Sequence, residues 1–434
     1  MKICVVLFCF NNSLSNFFFF AAISLLLSAT HTLQISLFAP ISKDDSTQLY
    51  TLSLLLKTPL QPTKLHLDLG SSFTWLLCDS TYTSSSYHRI PCNSSLCASF
   101  HAAACSNDTC ALFPENPVTR NAVLNTALID SLALPNSDGS TQGPLVLLSD
   151  FVFSCSTPSL LQGLASNSSG LAALGRSNHS LPAQISDALS STRCFALCLP
   201  GSASSPGAAF FGSTGPYFFS SKIDLSKSLN YTPLIVNPVG DTVINYNGQP
   251  SDEYFINLTS IRINGIPLPI NSSILTVDQN GFGGTKISTS DPYTVLETSI
   301  YKRFVELFAN ESSAFNLTVT EAVEPFGLCY PAKDLTENSV GPAVPTVDLV
   351  MHSEDVFWRI FGRNSMVRIE KERVDDVWCL GFVDGGAHRR TPVVIGGYQL
   401  EDNLVQFDLD LNRFGFTSSL LLQATTCNNL NITH

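Results

Sequence analysis

The 434-residue sequence predicts a mainly β fold of two related lobes held by disulfides. Three observations predict it. First, short apolar runs alternate with Gly, Pro, Asn and Ser, as in "YTLSLLLKTPLQPTKLHLDLG" (50–70) and "YFINLTSIRINGIPL" (254–268), the pattern of short strands joined by turns. Second, there is an internal repeat. "LHLDLGSS" (65–72) and "TKISTSDP" (285–292) both end an extended run in a polar turn, and "LAALGR" (171–176) and "VVIGGY" (393–398) are apolar strands that stop at glycine. Asp68 to Gly175 spans 175 − 68 = 107 residues and Ser288 to Gly396 spans 396 − 288 = 108, as one lobe used twice would give. Third, the chain carries 13 cysteines.

The amino terminus has one basic residue, Lys2, then an apolar run from Cys4 that is densest over Phe17 to Leu27. Small residues follow at Ser28, Ala29 and Thr30, which predicts a secretory signal over 1–30. Asn11, Asn12, Ser13, Ser15 and Asn16 interrupt the run, so it is too short to span a bilayer, and the mature chain is expected to be soluble. About 400 mature residues can bury two cores, here assigned to lobes 31–225 and 226–434. Loss of Lys2 takes the formal charge from −12 to −13, and loss of Cys4 and Cys9 leaves 13 − 2 = 11 cysteines. In an oxidising compartment these are expected in disulfides, and an odd number leaves at least one thiol free or paired outside the chain.

Asn-x-Ser/Thr acceptors at Asn93, Asn107, Asn167, Asn178, Asn257, Asn271, Asn310, Asn316 and Asn431 suit a secreted glycoprotein, with a poorer one at Asn230 because Pro233 follows it. The acidic balance and scattered Lys and Arg exclude a nucleic-acid footprint and a polybasic membrane contact. Helical periodicity is clearest in "YTVLETSIYKRFVELFANE" (293–311), where Ile300, Phe304 and Leu307 or Phe308 form an apolar stripe read as core packing. There is no His-Glu-x-x-His, Gly-x-Ser-x-Gly or P-loop, and no metal or cofactor is expected.

Six segments together carry a resemblance. They are "LDLG" with "TWLLCD" (67–70, 74–79), "CALFPENPV" (110–118), "FVFSCSTPSLLQGLASNSSGLAALGR" (151–176), "GGTKISTSDPYTVLETSIYKRF" (283–304), "VWCLGFVDGG" (377–386) and "VVIGGYQLEDNLVQFDLDLNRFGF" (393–416). In these the chain resembles the pepsin-like aspartic proteases. More closely it resembles the plant subfamily of extracellular dermal glycoprotein, the legume basic globulins and the inhibitors of xylanase and xyloglucan endoglucanase. Active members place one Asp-Thr-Gly or Asp-Ser-Gly in each lobe, and the two carboxylates share a proton.

Asp68-Leu69-Gly70 keeps the acid and the glycine, but Leu69 replaces the hydroxyl residue that ties the two loops together. The second triplet is Ser288-Thr289-Ser290. Ser288 cannot serve as a carboxylate, and Ser290 stands where the backbone freedom of glycine is expected to be needed. Asp291 lies beyond the turn with Pro292 restricting it, too far displaced to substitute. "NPVTRNAVLNTALIDSLAL" (116–134), the flap region, lacks the family's tyrosine and glycine. Asp68 and Ser288 therefore read as a non-catalytic remnant.

The resemblance also implies disulfides Cys78–Cys155, Cys198–Cys427 and Cys329–Cys379, with two more among Cys92, Cys97, Cys105 and Cys110 rather than a zinc knuckle. Cys194 has no counterpart in that pattern and reads as a buried thiol. The implied function is a monomeric, extracellular inhibitor of cell-wall glycoside hydrolases in the apoplast. Its candidate docking residues are His388, Arg389 and Arg390 in "DGGAHRRTPVV" (384–394), Arg390 aligning best with the family's inhibitory basic position. The segment 309–327 is basic in some inhibitory relatives, but here it carries Glu311, Glu321 and Glu324. Two other readings are a non-inhibitory binding or storage glycoprotein and a residual aspartic endopeptidase.

Overall fold

The strand Tyr50–Leu56 buries Leu52, Leu54 and Leu56 at alternate positions and pairs antiparallel with Gln61–Asp68, register Leu52↔Leu65. The chain therefore reaches Asp68 out of a two-stranded ribbon with one apolar face, and the turn that follows is held by a sheet. A computed structural model describes residues 36–78, 82–100, 103–219, 223–244, 248–370 and 376–429. The proposed signal (1–30) and the Asn431 acceptor lie outside the described residues.

The repeat seen in the sequence is a repeat of pairing. In the first half, Gln61–Asp68 lies parallel to Gly170–Ala173, with Asp68 opposite Ala173. That strand is antiparallel to Trp75–Leu77, which is parallel to Gln142–Ser156. In the second half, Thr285–Ile287 lies parallel to Val393–Ile395, with Ile287 opposite Ile395. That strand is antiparallel to Thr294–Leu296, which is parallel to Phe382–Asp384. The architecture is that of a bilobal pepsin-like β protein.

One antiparallel sheet backs both halves. Its order is Ser36–Lys43, Gly207–Phe211, Cys194–Cys198, Leu404–Asp408, Arg413–Phe416 and Asn230–Ile235. The halves meet where Cys194–Cys198 pairs with Leu404–Asp408, and Phe195 stacks on Phe407 there with ring centroids 4.8 Å apart. Lys43 and Glu401 form a buried ion pair across the same region at 2.6 Å, and Tyr50 Oη donates to Glu401 at 2.7 Å. The helix Thr298–Ser312 buries Ile300, Phe304 and Phe308, so the stripe ends on Phe308 and Leu307 is only half-buried. No helix among the described residues is long and apolar enough to cross a membrane.

Disulfides join Cys78 to Cys155, Cys92 to Cys105, Cys97 to Cys110, Cys198 to Cys427 and Cys329 to Cys379. Cys194 is free and buried in the central pairing, and burial raises its thiol pKa far above the ordinary value.

Candidate functional site

Two turns face each other at the centre of the molecule. In the first, Asp68 Oδ2 accepts the backbone N–H of Gly70 (3.1 Å) and Ser71 (2.7 Å). In the second, Ser288 Oγ accepts the N–H of Ser290 and of Asp291, both at 3.2 Å. The two sets of bonds are equivalent, so a hydroxyl occupies the place in the second turn that a carboxylate holds in the first. Thr289 Oγ1 donates across the gap to Leu67 O at 2.8 Å, while Leu69, fully buried, has no hydroxyl with which to return the bond.

Ser290 corrects the expectation drawn from backbone freedom. It adopts no left-handed φ, and neither does Gly70. What Gly70 supplies is room, since an added Cβ would stand 3.1 Å from Glu253 Cγ. Ser290 is accommodated because its side chain finds partners. Its Oγ donates to Asp68 Oδ1 at 2.6 Å and lies 2.8 Å from His66 Nε2. A serine that donates to Asp68 must accept from Nε2–H, which places the hydrogen on Nε2, and burial favours the neutral ring. His66 Nδ1 is then a buried acceptor without a partner. Burial pushes the imidazole down to about 4, against the opposing pull of Asp68. Asp68 thus has both oxygens engaged, one by backbone and one by Ser290. Proteolysis needs a water held between two carboxylates, and this pair of turns offers one carboxylate, already capped.

A cavity of about 360 Å³ lies over the turns, lined among others by Asp68, Ser288, Ser290, Trp75, Glu253 and Lys286. Lys286 Nζ and Glu253 Oε1 are 2.5 Å apart within it. Burial alone would lower the ammonium, but Glu253 and Asp291 outweigh it and hold Lys286 above its ordinary value. Over the mouth, the hairpin of Glu115–Asn116 and Asn121–Ala122 takes the place of a flap. Its tip residue Arg120 bonds Glu115 Oε1 (3.1 Å) and both the backbone oxygen (2.5 Å) and the carboxylate (3.5 Å) of Asp241. Glu115 Oε2 accepts Val243 N–H at 2.8 Å, so the hairpin is latched to the loop opposite. Nothing in the local sequence pattern marks Arg120 for this role. Among the described residues, no group of three or more His, Cys, Asp or Glu is placed to hold a metal ion.

The basic loop packs against Val239 and Phe282. Asp384 Oδ1 accepts Gly386 N–H (2.9 Å) and Thr298 Oγ1–H (2.6 Å), which ties the loop to the start of the long helix. His388, in left-handed backbone (φ 59°), is exposed. Arg389 folds back to Gly385 O at 3.2 Å and is half-buried. Arg390 Nη2 donates to Val239 O at 2.9 Å, and its guanidinium carbon lies 5.4 Å from the Phe282 ring centroid. In the 309–327 segment, Glu321 and Glu324 are exposed, whereas Glu311 accepts from Asn264 Nδ2 at 3.1 Å. Asn93, Asn107, Asn167, Asn178, Asn230, Asn271, Asn310 and Asn316 are exposed, and Asn257 is half-buried.

Comparison with known proteins adds the family. Residues 50–213 match the family described as "Xylanase inhibitor N-terminal" and residues 253–418 the one described as "Xylanase inhibitor C-terminal". "Probable aspartic proteinase GIP1" of Glycine max is 73% identical over 424 residues, covering 94% of this chain and 95% of the relative. The crystal structure of EDGP is similar with a TM-score of 0.88 at 46% identity, over 92% of this chain and 98% of that one. Conglutin gamma, a basic 7S globulin from lupine seeds, gives a TM-score of 0.77 at 35% identity, over 91% and 98%.

Proposed function

Because the chain belongs to the xylanase-inhibitor family of pepsin-like proteins, we propose that it is a secreted, non-catalytic protein that docks on a cell-wall glycoside hydrolase and blocks it. The target class is a xyloglucan endoglucanase or a xylanase. Such enzymes cut with two carboxylates that flank the scissile bond, and a guanidinium matches a carboxylate bidentately. The observation that carries the reading is the braced loop 384–394, where Arg390 is held by Val239 O and by the Phe282 ring beside an exposed His388. A cation already oriented loses little freedom on binding.

The non-catalytic half of the proposal rests on Ser288 Oγ in the second turn and on the cap that Ser290 places on Asp68. Secretion rests on the 1–30 segment and the exposed sequons. The lobes are proposed as 31–225 and 226–434, and the mature protein as a monomer. A second reading, a binding or storage glycoprotein that blocks no enzyme, is favoured by the exposed acids Glu321 and Glu324 in 309–327, which would repel an acidic cleft.

Titration of a xyloglucanase and of a xylanase with the mature protein at mildly acidic pH separates the two. Stoichiometric loss of activity for either enzyme, weakened by Arg390→Ala, supports inhibition. Full activity of both at excess protein sinks it and leaves the second reading.

A further inference from the structure

The turn at 278–284 takes no part in the catalytic remnant, yet it is built to hold one side chain still. Asp278 Oδ1 accepts the N–H of Asn280 and of Phe282, both at 2.8 Å, and Phe282 O accepts Asp278 N–H at 2.7 Å. Gly281, Gly283 and Gly284 all have left-handed φ, at 80°, 91° and 82°. They are also crowded: a Cβ on Gly283 would stand 2.1 Å from Thr276 O, and one on Gly281 would stand 2.4 Å from Arg390 Nη2. Buried Asn237 locks the turn from beneath, donating to Gly281 O at 3.0 Å. Within this frame the Phe282 side chain is left 51% exposed.

The turn and the basic loop are one unit. Gly283 N–H donates to Arg390 O at 2.8 Å, and the Arg390 guanidinium packs on the Phe282 ring. Phenylalanine and arginine, here held adjacent, are both enriched at protein interfaces relative to the rest of the surface. Three glycines in left-handed backbone, two of them with no room for a Cβ, fix the ring in place while half of it stays in water.

We propose that Phe282 and Arg390 form a composite anchor for an enzyme cleft. The guanidinium meets the paired carboxylates, and the ring stacks on an aromatic side chain lining the next sugar-binding position. The inference rests on the glycoside-hydrolase reading above and extends it to a second loop. Charge complementarity selects the occupant. His388, Arg389 and Arg390 stand together in the sequence, and the exposed acids of the two loops, Asp278 and Asp384, are each taken up by hydrogen bonds of their own turn, so the matching surface is acidic with an apolar wall beside it.

The test measures inhibition constants against whichever hydrolase the wild type inhibits, for Phe282→Ala, Phe282→Leu, Phe282→Tyr, Arg390→Ala and the Phe282→Ala/Arg390→Ala pair. Phe282→Ala is expected to weaken inhibition about 30-fold or more, mainly through faster dissociation. Phe282→Leu should lose most of that affinity and Phe282→Tyr should recover most of it, which separates a stacking ring from mere bulk. The double variant should be weakened by less than the product of the single effects, because the two groups act together. Melting temperatures of the free variants should stay within about 2 °C of wild type, since the ring is half in water already.

Wild-type inhibition left unchanged by Phe282→Ala overturns the composite anchor and leaves the hydrolase reading intact. Equal loss in Phe282→Leu and Phe282→Tyr, or a matching fall in melting temperature, overturns it as well by reducing Phe282 to a prop for Arg390. A wild type that inhibits neither enzyme overturns both proposals.

Discussion

Ser290 and His66 show how much of a site depends on which atoms happen to meet. Asp68, Gly70 and the loss of an acid at 288 could be read from the two triplets, because the resemblance to pepsin-like proteases supplies the pattern from which they depart. The bond from Ser290 Oγ to Asp68 could not, since it joins residues 222 positions apart and depends on the spacing of the two turns. His66 was invisible for the same reason: one histidine in a strand has no signature of a neutral, buried partner to Ser290. Its titration is testable. Folded His66 is pushed down to about 4 from an ordinary 6.5, so the unfolded chain binds the extra proton first as pH falls. The associated stability is present above pH 6.5 and is lost between 6.5 and about 4, a difference of about 3 kcal/mol at most. Urea midpoints measured across that window should fall less steeply in His66→Gln than in wild type. Parallel profiles would show that His66 keeps an ordinary pKa.

At the scale of elements, the repeat was legible because nearly equal intervals separate equivalent landmarks, and the parallel pairs Asp68↔Ala173 and Ile287↔Ile395 fall at or within two residues of those landmarks. The flap was legible only as a departure from the pepsin-like pattern. Its latch, Arg120 to Asp241, spans 121 residues and uses a backbone oxygen, which no residue pattern encodes. Phe282 could have been found, since a large aromatic between Gly281 and Gly283-Gly284 is an unusual exposure signal. The crossing of the two central turns rests on Thr289 to Leu67 O and on Ser290 to Asp68 and His66, with Leu69 contributing only packing. Thr289→Val should cost about 1–2 kcal/mol of unfolding free energy, by removing a buried donor and leaving the Leu67 carbonyl short of a partner. A loss below about 0.5 kcal/mol would mean that the Ser290 bonds and burial hold the turns without Thr289.

The whole molecule is bound through its back as well as through the remnant site. Lys43 and Glu401 pair at 2.6 Å with side chains 6% and 2% exposed, and burial raises the Glu401 carboxyl even against Lys43. Lys43→Met should cost about 3–5 kcal/mol at neutral pH, because it strands an ionisable acid in the interior, while Lys43→Met with Glu401→Gln should recover much of that loss. If the double variant is no more stable than the single one, the pair is not what makes Lys43 necessary. The back sheet itself has a further consequence. Three of its strands come from residues 36–211 and three from 230–416, and among the described residues the one ladder between the sets is Cys194–Cys198 against Leu404–Asp408. Each half expressed alone would end in an open edge of five residues, sticky and unpaired, whereas the two halves supplied together hold complementary templates. Separately made fragments should therefore aggregate singly and reconstitute as a pair, with the Cys198–Cys427 bridge available to seal the join.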